Sequence, residues 1–185
     1  MATLWEEVLM LHIVLLSFYS VMTLWGLDNY MIQVQSAMLP KLMLLDQTLP
    51  TTNAHAKITL AIVYDETSAN EARLLAQSIT KQQDARLGLA TLNTVVIPID
   101  AFQRNDDIQF IYLLETSPKK AKNLAQIAND KRIPIFAYNP DDLSNGALLS
   151  ISVERKTIIY LSKTALKGSQ HRFAEALYQV ARLTD

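Results

Sequence analysis

Two pairs of adjacent acidic residues are the first candidates for chemistry in this sequence of 185 residues. Asp65 is followed by Glu66, and Asp141 by Asp142, at the ends of predicted strands. Such pairs could bind a cation or work as general acid and base, but carboxylates where a loop meets a helix are more often caps or solvated turns. The sequence also lacks a Gly-x-Ser-x-Gly nucleophile elbow. We therefore expect a protein that binds, with no catalytic residue.

Histidine, cysteine and glycine are too few or too scattered for the common metal and nucleotide sites. His12, His55 and His171 stand far apart, whereas metal ligands converge from spacings such as i, i+4. The absence of cysteine excludes thiolate ligands, disulfides and thiol nucleophiles. None of the 4 glycines falls in a strand-to-helix turn that could cradle a phosphate. We expect neither a metal nor a cofactor, and we interpret His171 as a surface residue of the last helix.

The charge balance argues against a nucleic-acid-binding protein. The 17 basic and 18 acidic residues leave a formal net charge of -1. Such a chain has no overall field that would attract nucleic acid or anionic lipid. A dedicated role on nucleic acid is therefore not expected.

The elements that must position these residues alternate between strands and helices. Apolar runs of strand length predict four strands, at Lys57–Tyr64, Leu92–Ile97, Ile108–Leu114 and Ile133–Tyr138. Helical spacing and capping residues predict three helices, at Tyr30–Asp46, Ser68–Asp84 and Ser117–Asn129. The end of the chain predicts an antiparallel hairpin and a closing helix, at Leu148–Val153 with Thr157–Leu161 and at Gln170–Arg182.

This order of elements predicts a three-layer, Rossmann-like α/β sandwich with a mostly parallel sheet, a C-terminal antiparallel hairpin and a closing helix. In such sheets ligands lie beyond the carboxyl ends of the strands. We therefore predict a ligand or partner cleft in the loops that follow three strands, formed by Asp65, Glu66, Thr67, Glu115, Thr116, Ser117, Asn139, Asn145 and Gly146.

The first predicted helix is rich in methionine. Met-rich amphipathic faces adapt to other proteins as readily as they fill cores, so both roles stay open for this helix. If it contacts a partner, we expect Met31, Gln35 and Met38 to take part.

An apolar segment of about 19 residues, 8–26, precedes this helix and is roughly long enough to span a bilayer. Glu6 and Glu7 stand where a signal peptide normally carries positive charge, and no A-x-A-like cleavage site follows. A start at Met10 would remove the first difficulty. We predict that residues 1–27 are a signal peptide or a membrane anchor and that 28–185 form a single α/β domain; a buried helix of a soluble domain is the alternative.

The residues and their order resemble the YfiR-like family of exported bacterial proteins. The helix at 30–39 (YMIQVQSAML) is similar to that family's Y-x-x-x-x-V-K-A-A-[FM]-L pattern, and Asn145-Gly146 stands where the family has a Gly-Gly turn into a hairpin. The last segment, with Leu177 and Ala181-Arg182-Leu183, is similar to its closing helix. Pro40 falls where the family often has an aromatic residue, and the cysteines of some members are missing.

The resemblance implies a non-enzymatic domain in the periplasm, either free or held at the inner membrane by residues 8–26. It implies control of a membrane-bound sensor or cyclase protein, of the diguanylate cyclase type, by protein contact. The main alternative is the solute-binding component of a transporter, although residues 28–185 are few for two lobes of typical size. An enzyme with an unfamiliar site on the acidic loops is a third option, and a homodimer is compatible with each.

Overall fold

The computed structural model describes residues 30–82, 84–102, 107–153 and 156–185. The strands are β1 (Lys57–Tyr64), β2 (Arg86–Leu87), β3 (Ala90–Pro98), β4 (Phe110–Leu113), β5 (Ile135–Ala137), β6 (Leu149–Val153), β7 (Thr157–Ser162) and β8 (Ala181–Thr184). The helices are α1 (residues 30–44), α2 (Ala69–Gln82), α3 (Pro118–Asp130), α4 (Lys163–Gly168) and α5 (Glu175–Val180). The predicted leader, residues 1–27, lies outside the described residues. No helix among those described is long and apolar enough to cross a membrane.

The strands form one sheet in the order β2-β3-β1-β4-β5-β6-β7-β8. The five strands from β3 to β6 run parallel, and β2 with β3 and β6 with β7 are the two antiparallel pairs. The predicted α/β class, the mostly parallel sheet and the hairpin are therefore confirmed.

Alternation along the central strands divides the core between the two faces of the sheet. In β1, Ile58, Leu60 and Ile62 join the core that α1 and α2 cover, whereas Ala61 and Val63 join the core that α3 covers. A strand buried on both faces needs an unbroken apolar run, which explains the sequence KITLAIVY. Helices therefore cover both faces of the sheet, as a three-layer sandwich requires.

The chain ends differently from the predicted closing helix over Gln170–Arg182. Only Glu175–Val180 is helical, and Ala181–Thr184 forms β8, parallel to β7. The residues before α5 are extended against the end of α1: Phe173 bridges to Asp46, and the Gln47 amide donates to the Arg172 carbonyl at 2.8 Å. Backbone pairing with two other segments therefore outweighs the helical spacing of Phe173 and Leu177, which both pack in the core.

Neighbouring strands β1 and β4 mark the switch point of the sheet. The chain leaves β1 through α2 toward β3 on one side, and leaves β4 through α3 toward β5 on the other. The carboxyl ends of β1 and β4 are thus adjacent while their connections diverge. In open α/β sheets this divergence leaves a crevice, and ligands bind there.

Candidate ligand-binding site

A cavity of about 230 Å³ lies at the switch point, on the face that carries α1 and α2. Its walls come from these two helices, the turn after β1, the end of β4 and the residue after β5. The lining residues are Met31, Ile32, Gln35, Thr67, Ser68, Glu71, Leu75, Leu114, Glu115 and Tyr138. We refer to it as the switch-point cavity.

Gln35 supplies a buried hydrogen-bond donor without a partner. Its side chain is 1% exposed, and its Nε2 atom makes no hydrogen bond. Leu39 and Met43 follow at i+4 and i+8 and are fully buried, so Gln35 occupies a place where this helix face otherwise carries apolar residues. Buried polar groups nearly always find a partner in folded proteins, so this free donor requires an explanation.

Ser36 holds α1 against α2. Its Oγ accepts hydrogen bonds from Ser78 Oγ and from Gln82 Nε2, both at 2.9 Å, and donates to the Gln33 carbonyl at 3.0 Å. These bonds join α1 to α2 at the residue that directly follows Gln35. The position of Gln35 is therefore built into the helix pair.

Glu71 supplies a buried acceptor on the opposite wall. It lies in the first turn of α2, and its Oε2 atom is buried without a hydrogen-bond partner. The positive end of the helix dipole favours a carboxylate there. Burying an unpaired carboxylate oxygen is nevertheless unfavourable, so Glu71, like Gln35, is a lining residue with unused bonding capacity.

The lining is acidic as well as partly apolar. Glu71 and Glu115 are its two carboxylates, and the described lining contains no Lys, Arg or His. Met31, Ile32 and Leu75 supply apolar wall. A third buried atom without a partner, the Tyr112 hydroxyl, belongs to β4 outside this lining, and burial raises the pKa of Tyr112 well above its ordinary value.

Asp65 is hydrogen-bonded to residues at the start of α3, on the other side of the strand ends. Lys120 Nζ donates to Asp65 Oδ1 at 3.0 Å and to Asp100 Oδ2 at 2.7 Å, and Thr116 Oγ1 donates to Asp65 Oδ2 at 3.1 Å. Asp65 also accepts from the Glu66 amide at 3.0 Å, which caps the turn before α2. The Lys120 hydrogen bond, followed by the Glu66 amide, holds the pKa of Asp65 below its ordinary value.

Other predicted cleft residues form turns and caps. Ser117 caps α3 by accepting from the Lys120 amide, and Asn139 accepts from the Asp141 amide at 3.0 Å. Asn145 donates to Asp142 at 3.1 Å. Burial raises the pKa of Asp142, and the nearby charges of Asp141 and Glu115 act in the same direction.

Gly146 has a backbone φ of +109°, which disfavours any residue with a side chain. A Cβ atom there would also lie 2.8 Å from the Cβ of Ala125 in α3. Gly146 lines a second cavity of about 580 Å³, which also borders Arg132, His171 and Asp185. The glycine thus serves a close approach of backbone to α3.

The structure brings part of the predicted set together and separates the rest. Thr67, Glu115, Met31 and Gln35 line the switch-point cavity. The other predicted residues lie outside this lining: Asp65, Thr116 and Asn145 in hydrogen-bonded pairs, Ser117 and Asn139 as caps, Gly146 at the second cavity, Glu66 exposed on the turn, and Met38 packed against the core.

Sequence reasoning missed Glu71 and Tyr138 as lining residues. Ser68 and Glu71 have the spacing of a capping box, which indicates a role for Glu71 at the helix start alone, but Asp65 provides the cap of this turn. Glu71 lies in the first turn of the helix that follows β1, and this position could have indicated a residue near the carboxyl end of that strand. Tyr138 directly follows β5, so it is also at a carboxyl strand end.

His171 is not a surface helix residue, contrary to the prediction. It lies in the extended segment before α5, where its Nδ1 contacts Asp46 Oδ2 at 2.5 Å and its Nε2 donates to the Arg132 carbonyl at 2.9 Å. Burial lowers the pKa of His171, but the hydrogen bonds to Asp46 and Arg132 outweigh it and raise the pKa overall. Burial likewise raises the pKa of Asp46, yet bonds from His171 and Thr48 bring it below its ordinary value. Asp46 and His171 thus form a buried hydrogen-bonded pair, which is an ion pair when His171 is protonated.

No protein-family model and no curated protein sequence matches this chain. Two solved structures share its fold. A conserved domain protein from Vibrio cholerae O1 biovar eltor is 13% identical with a TM-score of 0.60, and the match covers 83% of this chain and 60% of that one. The ABC domain from Streptococcus pneumoniae, solved in complex with L-Trp, is 10% identical with a TM-score of 0.51, and the match covers 68% of this chain and 56% of that one. The matches thus span less than two thirds of either protein, and at these identities the likeness shows the fold alone.

Proposed function

We propose that this chain is a non-enzymatic binding domain whose switch-point cavity holds a small molecule. The observation that carries the proposal is that two residues lining one cavity, Gln35 and Glu71, each hold a buried polar atom without a partner, Nε2 and Oε2. Leaving a buried polar group unpaired costs about 1–3 kcal/mol, which a ligand with complementary groups would recover. A concave site with apolar walls and a few polar groups is the usual form of a small-molecule pocket.

The position and size of the cavity support the same proposal. It lies at the switch point, where open α/β sheets bind ligands. Its volume of about 230 Å³ is below the roughly 300–1,000 Å³ of drug-sized sites. A ligand of the size of an amino acid would suit it, and one protein of similar fold was solved with L-Trp bound.

Thermal unfolding of the purified full chain tests this proposal. A panel of small neutral, cationic and anionic metabolites should contain at least one that raises the midpoint, because a ligand at 100 times its Kd stabilises the folded state by about 2.7 kcal/mol. The shift should be lost in Gln35→Leu and kept in Gln77→Leu, a matched change on the exposed face of α2. The proposal is wrong if no compound shifts the midpoint, or if Gln35→Leu responds as the unchanged chain does.

Contact with a membrane-bound sensor or cyclase protein is the second candidate function. It is favoured by the outer strand β8, which among the described residues has no strand on its outer side, and by three exposed apolar residues, Tyr178 and Val180 in α5 and Leu183 in β8. The apolar segment at 8–26 and the YfiR-like pattern favour an exported protein that acts in this way. Ligand binding and partner contact are compatible, since a ligand that prefers one of two states shifts the balance between them.

Cross-linking in intact bacteria, followed by identification of the partner by mass spectrometry, tests this second function. We expect a sensor-type membrane protein to be cross-linked to the unchanged chain, and to be lost when Val180→Asp and Leu183→Lys are combined. Ile127→Lys, at an exposed apolar residue of α3, is the matched control and should retain it. A product of twice the mass of the chain alone would instead indicate a homodimer.

A further inference from the structure

We infer that the switch-point cavity takes a small organic cation, a protonated amine with an apolar body. This inference rests on the proposed function and names its ligand class. The starting point is the charge of the walls: Glu71 and Glu115 contribute two carboxylates, and the described lining has no basic side chain to balance them. A ligand with a positive charge complements such walls, whereas an anion would be repelled.

The unused hydrogen-bonding groups of these two lining residues indicate what a ligand must offer. Glu71 Oε2 can only accept, so it requires a donor, and an ammonium group donates up to three hydrogen bonds. Gln35 Nε2 donates, so it requires an acceptor such as a hydroxyl, carbonyl or carboxyl oxygen on the same ligand. A hydrogen bond between charged groups is about twice as strong as one between neutral groups, so the ammonium contact with Glu71 should dominate binding.

The remaining walls describe the rest of the ligand. Met31, Ile32, Leu75 and Leu114 present apolar surface to the cavity, which suits a hydrocarbon or aromatic body. A metal ion is a poorer occupant, because among the described residues no three His, Asp or Glu side chains converge as a metal requires. The cavity therefore combines a cation contact with room for an apolar group.

Matched compounds test the charge directly. Primary amines, alcohols and carboxylic acids with the same bodies, n-butyl, 2-phenylethyl and 2-(indol-3-yl)ethyl, would be titrated by calorimetry into the purified full chain, together with the zwitterions L-phenylalanine and L-tryptophan. We expect the amines or the zwitterions to bind, and the acids to bind at least about tenfold more weakly. Acids or alcohols that bind as tightly as the amines would overturn the inference while leaving the proposed small-molecule function standing.

Substitution of Glu71 separates the cation contact from general effects on folding. Glu71→Gln keeps the shape and removes the charge, and it should weaken amine binding by about tenfold or more. Glu175→Gln, in the first turn of α5, is the matched control and should leave binding unchanged. Unchanged amine binding in Glu71→Gln would overturn the inference. If nothing in the set or in the wider metabolite panel binds the unchanged chain, the proposed function fails as well.

Discussion

Two buried polar residues, one in the first half of α1 and one just after its last residue, have opposite environments. Gln35 and Asp46 are each 1% exposed. Asp46 is bonded to His171 and to the amide and hydroxyl of Thr48, whereas Gln35 Nε2 has no partner. Asp46 ties α1 to the segment before α5 and so serves the fold, while Gln35 lines the switch-point cavity with an unused donor, as the proposed ligand binding requires. Equal burial thus accompanies opposite hydrogen bonding, and the proposed function rests on this difference.

The largest expected effect on stability comes from removing the Asp46 carboxylate. Asp46→Ala leaves the His171 imidazole buried beside no acid and should lower the free energy of unfolding by about 3–5 kcal/mol. Urea unfolding followed by circular dichroism measures it. Asp130→Ala, at an exposed acid in the last turn of α3, should change stability by less than about 0.5 kcal/mol. Similar losses in both variants would mean that Asp46 contributes no more to stability than an exposed acid.

The ion pair should also make stability depend on pH. The pKa of Asp46 lies below its ordinary 3.8, so its contribution is present above pH 3.8 and is lost as pH falls through the lowered value. The pKa of His171 lies above its ordinary 6.5, so its contribution is present below pH 6.5 and is lost as pH rises through the raised value. Both contributions are therefore complete between pH 3.8 and 6.5.

His171→Gln isolates this dependence. The difference in unfolding free energy between the unchanged chain and His171→Gln should be largest near the middle of that pH window and should shrink toward pH 8 and toward pH 2. A difference that stays constant from pH 4 to pH 8 would mean that the pair contributes packing and not charge.

A smaller change in stability, of opposite sign, is expected on substitution of Gln35. Gln35→Leu removes the unsatisfied donor and continues the apolar stripe of Leu39 and Met43, so it should raise the stability of the ligand-free chain by about 1 kcal/mol. Functional sites often carry such a cost, and its removal stabilises at the expense of binding. Gln77→Leu should leave stability nearly unchanged. A destabilised Gln35→Leu variant would mean that the glutamine supports the fold.

The sequence predicts the strands and helices better than it predicts which residues line the cavity. The run at 57–64, and the Ser117-Pro118 start of α3, carry their structure locally and are observed as expected. The predicted edge of the sheet does hold a cavity, because strand direction alone determines where the loops gather. Which loop residues face inward depends on the distant helix α1 and on pairs such as Asp65–Lys120, separated by 55 positions. His171 and β8 were misassigned for a related reason, since backbone pairing with Asp46, Gln47 and β7 is a long-range property.

The smallest effect on stability is expected where Lys120 forms ion pairs with Asp65 and Asp100, which we call the rim cluster. These side chains are 34%, 23% and 68% exposed, so water and salt screen their attraction. Lys120→Met should lower the midpoint of thermal unfolding only slightly, less than Asp46→Ala does, and the difference should vanish in 1 M salt. Lys119→Met, at the exposed neighbour, is the matched control.

Ligand-induced stabilisation should persist in Lys120→Met, because the rim cluster and the switch-point cavity use different side chains. Its loss would show that the loop after β1 must be held by Lys120 for Thr67 and Glu71 to line the cavity, and the paired and unpaired regions would then act as one unit.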